Sequence, residues 1–485
     1  RELGNDKKWR NLDKPPAYDF SITCRVPKSE NVDSGRRRRI IYQGSYLLTK
    51  NRPKQPRIAN SLADASQEVY RAATDLHHLN IGPGKALTDT WRAAGLELPD
   101  LVVMRQYRID RVRAQMQLMG YDGALLMDPM NIRYATDSTN MQIWVMHNAA
   151  RYCWVGMDQS CIVWEFNECE FLDAHNPAVT ETRPAIGSSY FLAGPRWAEQ
   201  ANRFADEIID VVTEHAGSGA RIAIDQCHPI AYQRLATAGI EVGNGVEMME
   251  LARMIKGRDE IRAMRCAINA CQASMREMHD ALTPGMTERE VWSILHAGNI
   301  RRAGEWIETQ ILASGPRTNP WMQEASARII ETGDLLAYDT DLVGAYGMMV
   351  DISRTWLVGD ERANAQQRDT HALAVEQIER NTELLKPGTT FRDMTFDSWA
   401  PPHNDYRRYC CQFHGVGQCD EFPEIYWPEQ WDEWGYDGTL QTGMTLTVES
   451  YVGPRAGGEG VKLENQVLVT DNGPELLTDL PLSLY

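Results

Sequence analysis

The chain has 485 residues, of which 43% are hydrophobic and 24% charged, and its formal net charge is −17. That is globular composition, long enough for two or three domains with cores of their own. The acidic balance disfavours nucleic acid, whose binding depends on neutralising phosphates, and no apolar run approaches the ~20 residues that cross a bilayer, so neither a nucleic-acid nor a membrane partner is expected.

No signal-like apolar segment opens the chain, which begins at Arg1 without a methionine and so leaves room for a processed or trimmed start. Residues 1–97 are polar and irregular, with Pro15-Pro16, Pro53, Pro56 and Gly82-Pro83-Gly84 interrupting any long element. This stretch reads as an extension that wraps a partner surface or, over its first 40 residues, as a disordered tail. The basic run at 36–39 reads as a solvated loop, with a nucleic-acid or targeting patch as the alternative. Over 98–252 strand and helix patterns alternate. Ala124-Leu125-Leu126-Met127, Ser160-Cys161-Ile162-Val163-Trp164 and Arg221-Ile222-Ala223-Ile224 suit buried strands, and 197–215 suits a helix, which predicts an α/β domain.

A second domain is predicted over 253–485. Ile261, Met264, Ile268, Cys271, Met275, Met278 and Leu282 recur at helical steps. Pro284-Gly285 stops that helix, and Thr287 with Glu290 forms a capping box for the next. A similar stop returns at Leu385-Lys386-Pro387-Gly388-Thr389-Thr390, which hints at an internal duplication. The ten cysteines include no C-x-x-C pair and read as reduced thiols of a cytoplasmic protein.

The chemistry concentrates in this second domain. The apolar run Leu335-Leu336-Ala337-Tyr338 leads into Asp339 and Asp341, which share a face if the strand continues. Asp351 fits the return strand of a hairpin through Gly344 and Gly347. Glu449 ends another strand pattern, Glu464 lies inside a third, and the turn-rich segment 453–460 joins them. His414 sits in a glycine-rich setting, His414-Gly415-Val416-Gly417. Carboxylates inside apolar strands are costly unless paired or metal-bound. Three aspartates, two glutamates and one histidine suit a manganese, iron, cobalt or zinc site, often a bridged pair of ions.

In order and approximate spacing, Asp341, Asp351, His414, Glu449 and Glu464 resemble the five metal ligands of the pita-bread metalloproteins, the creatinase/prolidase-like M24 group. Ala252-Arg253-Met254-Ile255-Lys256-Gly257-Arg258-Asp259-Glu260-Ile261 resembles the opening of that family's catalytic domain, and Asn131-Ile132-Arg133-Tyr134 resembles a motif of its amino-terminal domain. The resemblance covers roughly 98–485. It implies an α+β architecture: a C-terminal pita-bread catalytic domain preceded by an α/β creatinase-like N-terminal domain.

The departures from the peptidases are specific. Gln418 stands where they carry a histidine after Gly-x-Gly, and the stretch from Ser314 to Gln323 lacks their second histidine. These imidazoles serve proton transfer and the tetrahedral intermediate. The segments 304–309, 313–320 and 339–347, with Asp339 as an added carboxylate and Cys419-Asp420 after the histidine turn, are instead similar to the DddP-type dimethylsulfoniopropionate lyases. That branch implies a homodimer that cleaves a small zwitterionic sulfonium substrate to dimethyl sulfide and acrylate, with iron as the favoured metal, Asp339 as a sixth ligand and Asp420 as the general base. Tyr409 and Trp321 are candidate aromatic partners of the sulfonium, with core packing as the alternative. Arg354 is expected to pair with a ligand carboxylate. Two other readings stay open: an Xaa-Pro dipeptidase or aminopeptidase drawing a histidine from His296, His371 or His403, and a non-catalytic pita-bread binding module.

Overall fold

A computed structural model describes residues 82–173 and 176–485. The basic run at 36–39, Cys24 and most of the expected extension lie outside the described residues. The described end of that extension departs from the irregular reading, because Lys85–Ala93 is a helix. Gly82-Pro83-Gly84 starts it instead of interrupting it, with Gly84 as the N-cap. Its Trp91 is fully buried, 5.8 Å from the ring of Tyr346, in the core that the helix Arg258–Ala281 helps to form.

The first unit is a six-stranded mixed sheet. Its strands are β1 (Gly123–Leu126), β2 (Tyr152–Gly156), β3 (Cys161–Glu165), β4 (Glu181–Pro184), β5 (Arg221–Ile224) and β6 (Glu241–Asn244), in the order β4-β3-β2-β1-β5-β6. Helices cover both faces, so the inner strands β1, β2, β3 and β5 are buried on both sides instead of alternating. Leu126 packs with Val112 and Met116 of the helix Leu101–Met119. Its neighbour Leu125 faces the other way, onto Phe204 and Ile208 of the helix Trp197–His215.

The second unit opens with the helix Arg258–Ala281, whose Met264, Ile268, Cys271, Met275 and Met278 are buried as the periodicity predicts. Thr287 caps the helix Glu288–Arg301 through a capping box with Glu290. The second Pro-Gly stop follows the helix Ala365–Thr382, and Thr390 caps Phe391–Asp397 in the same way. Between these helices lie β7 (Trp306–Ile307), β8 (Leu312–Ser314), β9 (Leu335–Tyr338), β10 (Leu342–Val343), β11 (Met349–Val350) and β12 (Arg354–Leu357). They form two three-stranded sheets, β11-β10-β7 and β12-β9-β8. The expected hairpin is present as β10 against β11.

The largest sheet of this unit contains β13 (Tyr406–Arg407), β14 (Phe413–Val416), β15 (Asp420–Ile425), β16 (Thr445–Pro454), β17 (Val461–Thr470) and β18 (Gly473–Leu476), with the order β15-β14-β16-β17-β18 and β13 on β16. Along β16 and β17, Leu446, Val448, Val452, Val461, Leu463 and Val467 pack with Ala374 and Ile378 of the helix Ala365–Thr382. The period of two therefore assigns Thr447 and Glu449, with Lys462, Glu464 and Gln466, to the opposite face. That face is buried yet polar. The site is built there.

Arg354 braces this face from behind. It makes no ion pair with a ligand carboxylate, contrary to the expectation. Its fully buried guanidinium donates to the carbonyls of Ser353 (2.8 Å), Glu464 (2.6 Å), Leu480 (2.6 Å) and Pro481 (3.0 Å) and to Asn465 Oδ1 (2.9 Å). The C-terminal segment is thereby tied to the strand that carries Glu464. Arg354→Leu orphans these acceptors and is expected to lower unfolding stability by ~3 kcal/mol or more, read from urea unfolding of the full chain. An unchanged unfolding midpoint would contradict the bracing role.

Candidate metal centre and active site

The strand β9 stops at Tyr338, and Asp339, Thr340 and Asp341 fill the gap before β10. Asp341 adopts φ 33°, in the left-handed region, so the two aspartates do not lie on one extended strand as expected. Thr340 holds the break in place: its Oγ1 donates to the Val350 carbonyl (2.9 Å) and accepts from the Ile352 amide (3.0 Å). The break still brings Asp339 and Asp341 together with Asp351, one oxygen from each lying within 4.8 Å of the others. Asp341 also takes a short hydrogen bond from Thr309.

Glu449 lies within β16, not at its end, and stands directly opposite Glu464 of β17. Like charges opposed across two strands are destabilising on a surface and far more so when buried. Both side chains are about 1% exposed or less. His414 occupies β14, opposite Thr447 of β16, instead of a flexible turn. Its Nε2 is 3.3 Å from Glu449 Oε1, 3.4 Å from Asp351 Oδ2 and 3.7 Å from Glu464 Oε1. Asp351 Oδ1, Glu449 Oε1 and Glu464 Oε1 are buried and make no hydrogen bond. Unpartnered buried carboxylate oxygens facing one another fit a cation, and hard oxygen donors with one imidazole fit a divalent transition metal.

Burial raises Asp339, Asp341, Asp351 and Glu464 above the ordinary carboxylate range, and their mutual repulsion raises each further. Burial opposes a charge on His414, yet Glu449 and Asp420 hold its imidazole well above its usual value.

Sequence reasoning missed Lys462. Its ammonium is fully buried and lies 2.8 Å from Glu449 Oε2, 3.0 Å from Glu464 Oε2, 3.1 Å from Asp339 Oδ2 and 2.7 Å from Ser353 Oγ. A lysine in a strand ordinarily points to solvent. The signal that could have found it is the period of two, since Lys462 precedes Glu464 by two residues and shares its face. Five carboxylates against this one ammonium leave an excess of acidic groups that a bound cation would offset.

A cavity of about 410 Å³ reaches His414 and is lined also by Tyr409, Cys410, Cys411, Asp420 and Glu421. Asp420 opens β15, with its carboxylate 59% exposed at the cavity mouth and 3.6 Å from His414 Nδ1. Its neighbour Glu421 is fixed between Lys256 Nζ (2.7 Å) and Arg253 Nε (3.2 Å) and accepts from the Gln418 amide (3.0 Å). Gly415 and Gly417 are required by this packing, because a Cβ would come within 2.5 Å of the Glu421 carbonyl oxygen at the first and 2.3 Å of the Glu421 carboxylate at the second. Tyr409 lines the cavity with its ring under Lys462, 4.4 Å from centroid to ammonium. Trp321 is not among the lining residues; it stacks on Tyr451 in a small cluster that Tyr409 joins.

The histidines a peptidase could have borrowed lie elsewhere. His371 Nε2 meets the Leu482 carbonyl (2.6 Å), His403 lies against Arg455, and His296 is on the exposed face of its helix. Gln418, where a peptidase histidine would stand, is buried with its side-chain amide unpartnered.

Comparison with known proteins accords with this geometry. Residues 262–471 match the metallopeptidase family M24, and residues 108–255 match the creatinase/prolidase N-terminal domain. The dimethylsulfoniopropionate lyase DddP of Roseovarius nubinhibens is 43% identical over 413 residues, covering 84% of this chain and 93% of the relative. The protein of the same name from Roseobacter denitrificans is 41% identical, covering 84% and 92%. An Xaa-Pro dipeptidase of Pyrococcus furiosus is 32% identical, covering only 47% of this chain and 63% of its own length. Among solved structures, the Xaa-Pro dipeptidase from Bacillus anthracis shares the fold, with TM-score 0.62 at 22% identity over 78% of this chain and 99% of that one. With the creatinase-type and M24 regions adjoining in one chain and this identity over almost the whole length of its relatives, the chain belongs to the creatinase/prolidase-like M24 family, on its DddP branch.

Proposed function

We propose that this chain is a metal-dependent carbon–sulfur lyase that cleaves dimethylsulfoniopropionate to dimethyl sulfide and acrylate. The observation that carries the reading is a buried carboxylate–histidine cage joined to an acidic group at the cavity mouth, with no second imidazole, among the described residues, placed for amide hydrolysis. Asp339, Asp341, Asp351, His414, Glu449 and Glu464 would hold the metal. The excess of acidic groups in the cage favours two ions, and iron is the ion we assign, with zinc, manganese and cobalt compatible with the same donors. Bound there, divalent ions supply Lewis acidity that polarises a substrate carboxylate and acidifies the carbon beside it.

The residues of the chain do the remaining work. Asp420 takes the proton alpha to the carboxylate; it lies within reach of His414 and Asp351 at the edge of the cage, with its carboxylate more than half exposed. The electron pair becomes the double bond of acrylate, and dimethyl sulfide leaves the beta carbon as a neutral thioether that needs no proton. Hydrolysis of an amide, by contrast, must protonate a leaving amine. Tyr409 presents an aromatic ring in the cavity, suited to a sulfonium. Because Lys462 covers one face of that ring, the substrate cation uses the other. Trp321 backs Tyr409 by packing. Lys462 acts as a positioning residue that holds Asp339, Glu449 and Glu464 apart from mutual repulsion. The exposed apolar side chains Ile143, Met146, Tyr190 and Phe191 support a homodimer, and the unpaired state of the described cysteines supports a reducing, cytoplasmic setting.

Four outcomes are expected. In headspace assays of the metal-loaded enzyme, Asp420→Asn loses at least ~10²-fold in dimethyl sulfide release while metal content by mass spectrometry stays at the wild-type level; turnover near wild type would remove Asp420 as the base. His414→Ala and Glu464→Gln each lower bound metal together with release, and a chelator abolishes release from the wild type until iron(II) is restored. An Xaa-Pro dipeptide assay alongside should stay silent, and hydrolysis in place of dimethyl sulfide would favour the dipeptidase reading. Lys462→Met destabilises the metal-free protein by ~3–5 kcal/mol, because a buried carboxylate cluster loses its counter-charge, and destabilises the metal-loaded protein less. Equal shifts of the two melting curves would argue against the positioning role.

A further inference from the structure

Acids and aromatic rings dominate the lining of the cavity beside the cage, and no lysine or arginine lines it among the described residues. Its acids are not equivalent. Glu421 is held by Lys256 and Arg253, and Glu250 pairs with Arg253 and accepts from the Phe422 amide (2.9 Å). Asp420 is the proposed base. Glu424 forms no ion pair among the described residues; its Oε2 accepts from the Tyr426 hydroxyl (2.7 Å), and its Oε1 takes no hydrogen bond there.

The position of Glu424 is set by the sheet. It stands opposite His414 across β15 and β14, so the two side chains leave the same face of the pair. Phe413 and Ile425, one step along, turn the other way into the core. Tyr436 grips the Glu424 backbone: its hydroxyl accepts from the amide (2.8 Å) and donates to the carbonyl (2.6 Å). An uncompensated carboxylate is thus held beside the cage histidine, in a cavity it shares with the rings of Tyr409, Tyr426 and Tyr436. A sulfonium has no N–H or O–H to donate, so only aromatic faces and a nearby negative charge can recognise it.

We propose that Glu424 is a specificity-determining residue, the counter-charge that selects substrates ending in a permanent cation without hydrogen-bond donors over neutral molecules of the same shape. The inference rests on the lyase reading for the identity of that cation. Tyr426 is a positioning residue that orients the Glu424 carboxylate. Elimination destroys the positive charge, because the sulfur leaves as a neutral thioether. Glu424 therefore favours the bound substrate over the transition state and over the departing dimethyl sulfide. Its contribution shows in binding and not in the rate of the chemical step.

The test uses the full-length, metal-loaded enzyme and two probes of one shape, 3-(trimethylammonio)propionate and 4,4-dimethylpentanoate, which differ in the charge of the far end. Titration calorimetry gives the affinity for each, and headspace dimethyl sulfide gives KM and kcat for the sulfonium. Wild type is expected to bind the cationic probe at least about tenfold more tightly. Glu424→Gln abolishes that preference and raises KM about tenfold, with kcat changed by less than about twofold. Tyr426→Phe, which keeps the carboxylate and removes its orienting hydroxyl, loses part of the preference. A merely structural role would lower metal content or melting temperature and leave the ratio of the two affinities as in wild type. That result, or a wild type without the preference, overturns the proposal. The two readings separate: a Glu424-dependent cation preference without dimethyl sulfide release sinks the lyase assignment and keeps the cation site. Release with an unaltered preference in Glu424→Gln does the reverse.

Discussion

Two glutamates facing each other across paired strands are the constraint around which the second unit is arranged. Glu449 and Glu464 occupy opposed positions of β16 and β17, in a layer closed to water. No hydrophobic packing can relieve that opposition, because the residues of the other face already supply the packing against the helix Ala365–Thr382. Relief comes from positive charge: Lys462 on one side and His414 on the other, with Asp339, Asp341 and Asp351 grouped beside them where they could hold a metal ion. The fold thus stores an electrostatic imbalance that binding a cation removes, which couples metal affinity to stability in one step.

The first unit reaches this site through polar contacts rather than through apolar packing alone. Arg253, from the helix Gly245–Arg253 that joins the units, and Lys256 just beyond it clamp Glu421. Burial opposes the Glu421 charge, but Lys256 and Arg253 outweigh it and keep the carboxyl below its ordinary range. Asp420 is the adjacent residue, so the clamp fixes where its carboxylate emerges. Arg253 also meets Asn131, and Arg133 two residues later pairs with Glu305 (2.8 Å) ahead of β7. Asn131-Ile132-Arg133-Tyr134, read from sequence as a signature of the first domain, acts in the structure as the seam between the two units.

What was legible in the sequence follows from how each residue is held. Glu464 and Glu449 stood out because a carboxylate within an apolar strand pattern has no inexpensive neutral explanation, and the strand at 221–224 and the helix at 197–215 stood out by periodicity. The arrangement of Asp339 and Asp341 did not follow from periodicity, because the pattern assumes a continuous strand and a left-handed residue breaks it. The helix at Lys85–Ala93 was hidden for a different reason: it is short, and its burial depends on Trp91 finding a core contributed by residues far along the chain. Lys462 was illegible as a site element because a lysine in a strand is ordinarily solvated, and Arg354, expected to pair with a ligand carboxylate, proves by tertiary contact to hold backbone carbonyls and Asn465 instead.

A carboxylate–histidine cage does not by itself choose the reaction. The choice lies in what proton-handling groups surround the ions. Hydrolysis must deliver a proton to a poor leaving group and stabilise a tetrahedral oxyanion, which calls for imidazoles on the substrate side. Here one of those positions is Gln418, whose amide is buried and cannot shuttle protons, and His296, His371 and His403 are all engaged or exposed away from the cavity. An elimination that expels a neutral thioether needs one base and no acid. The carboxylate of Asp420 at the cavity mouth is placed to meet that requirement in the proposed reaction.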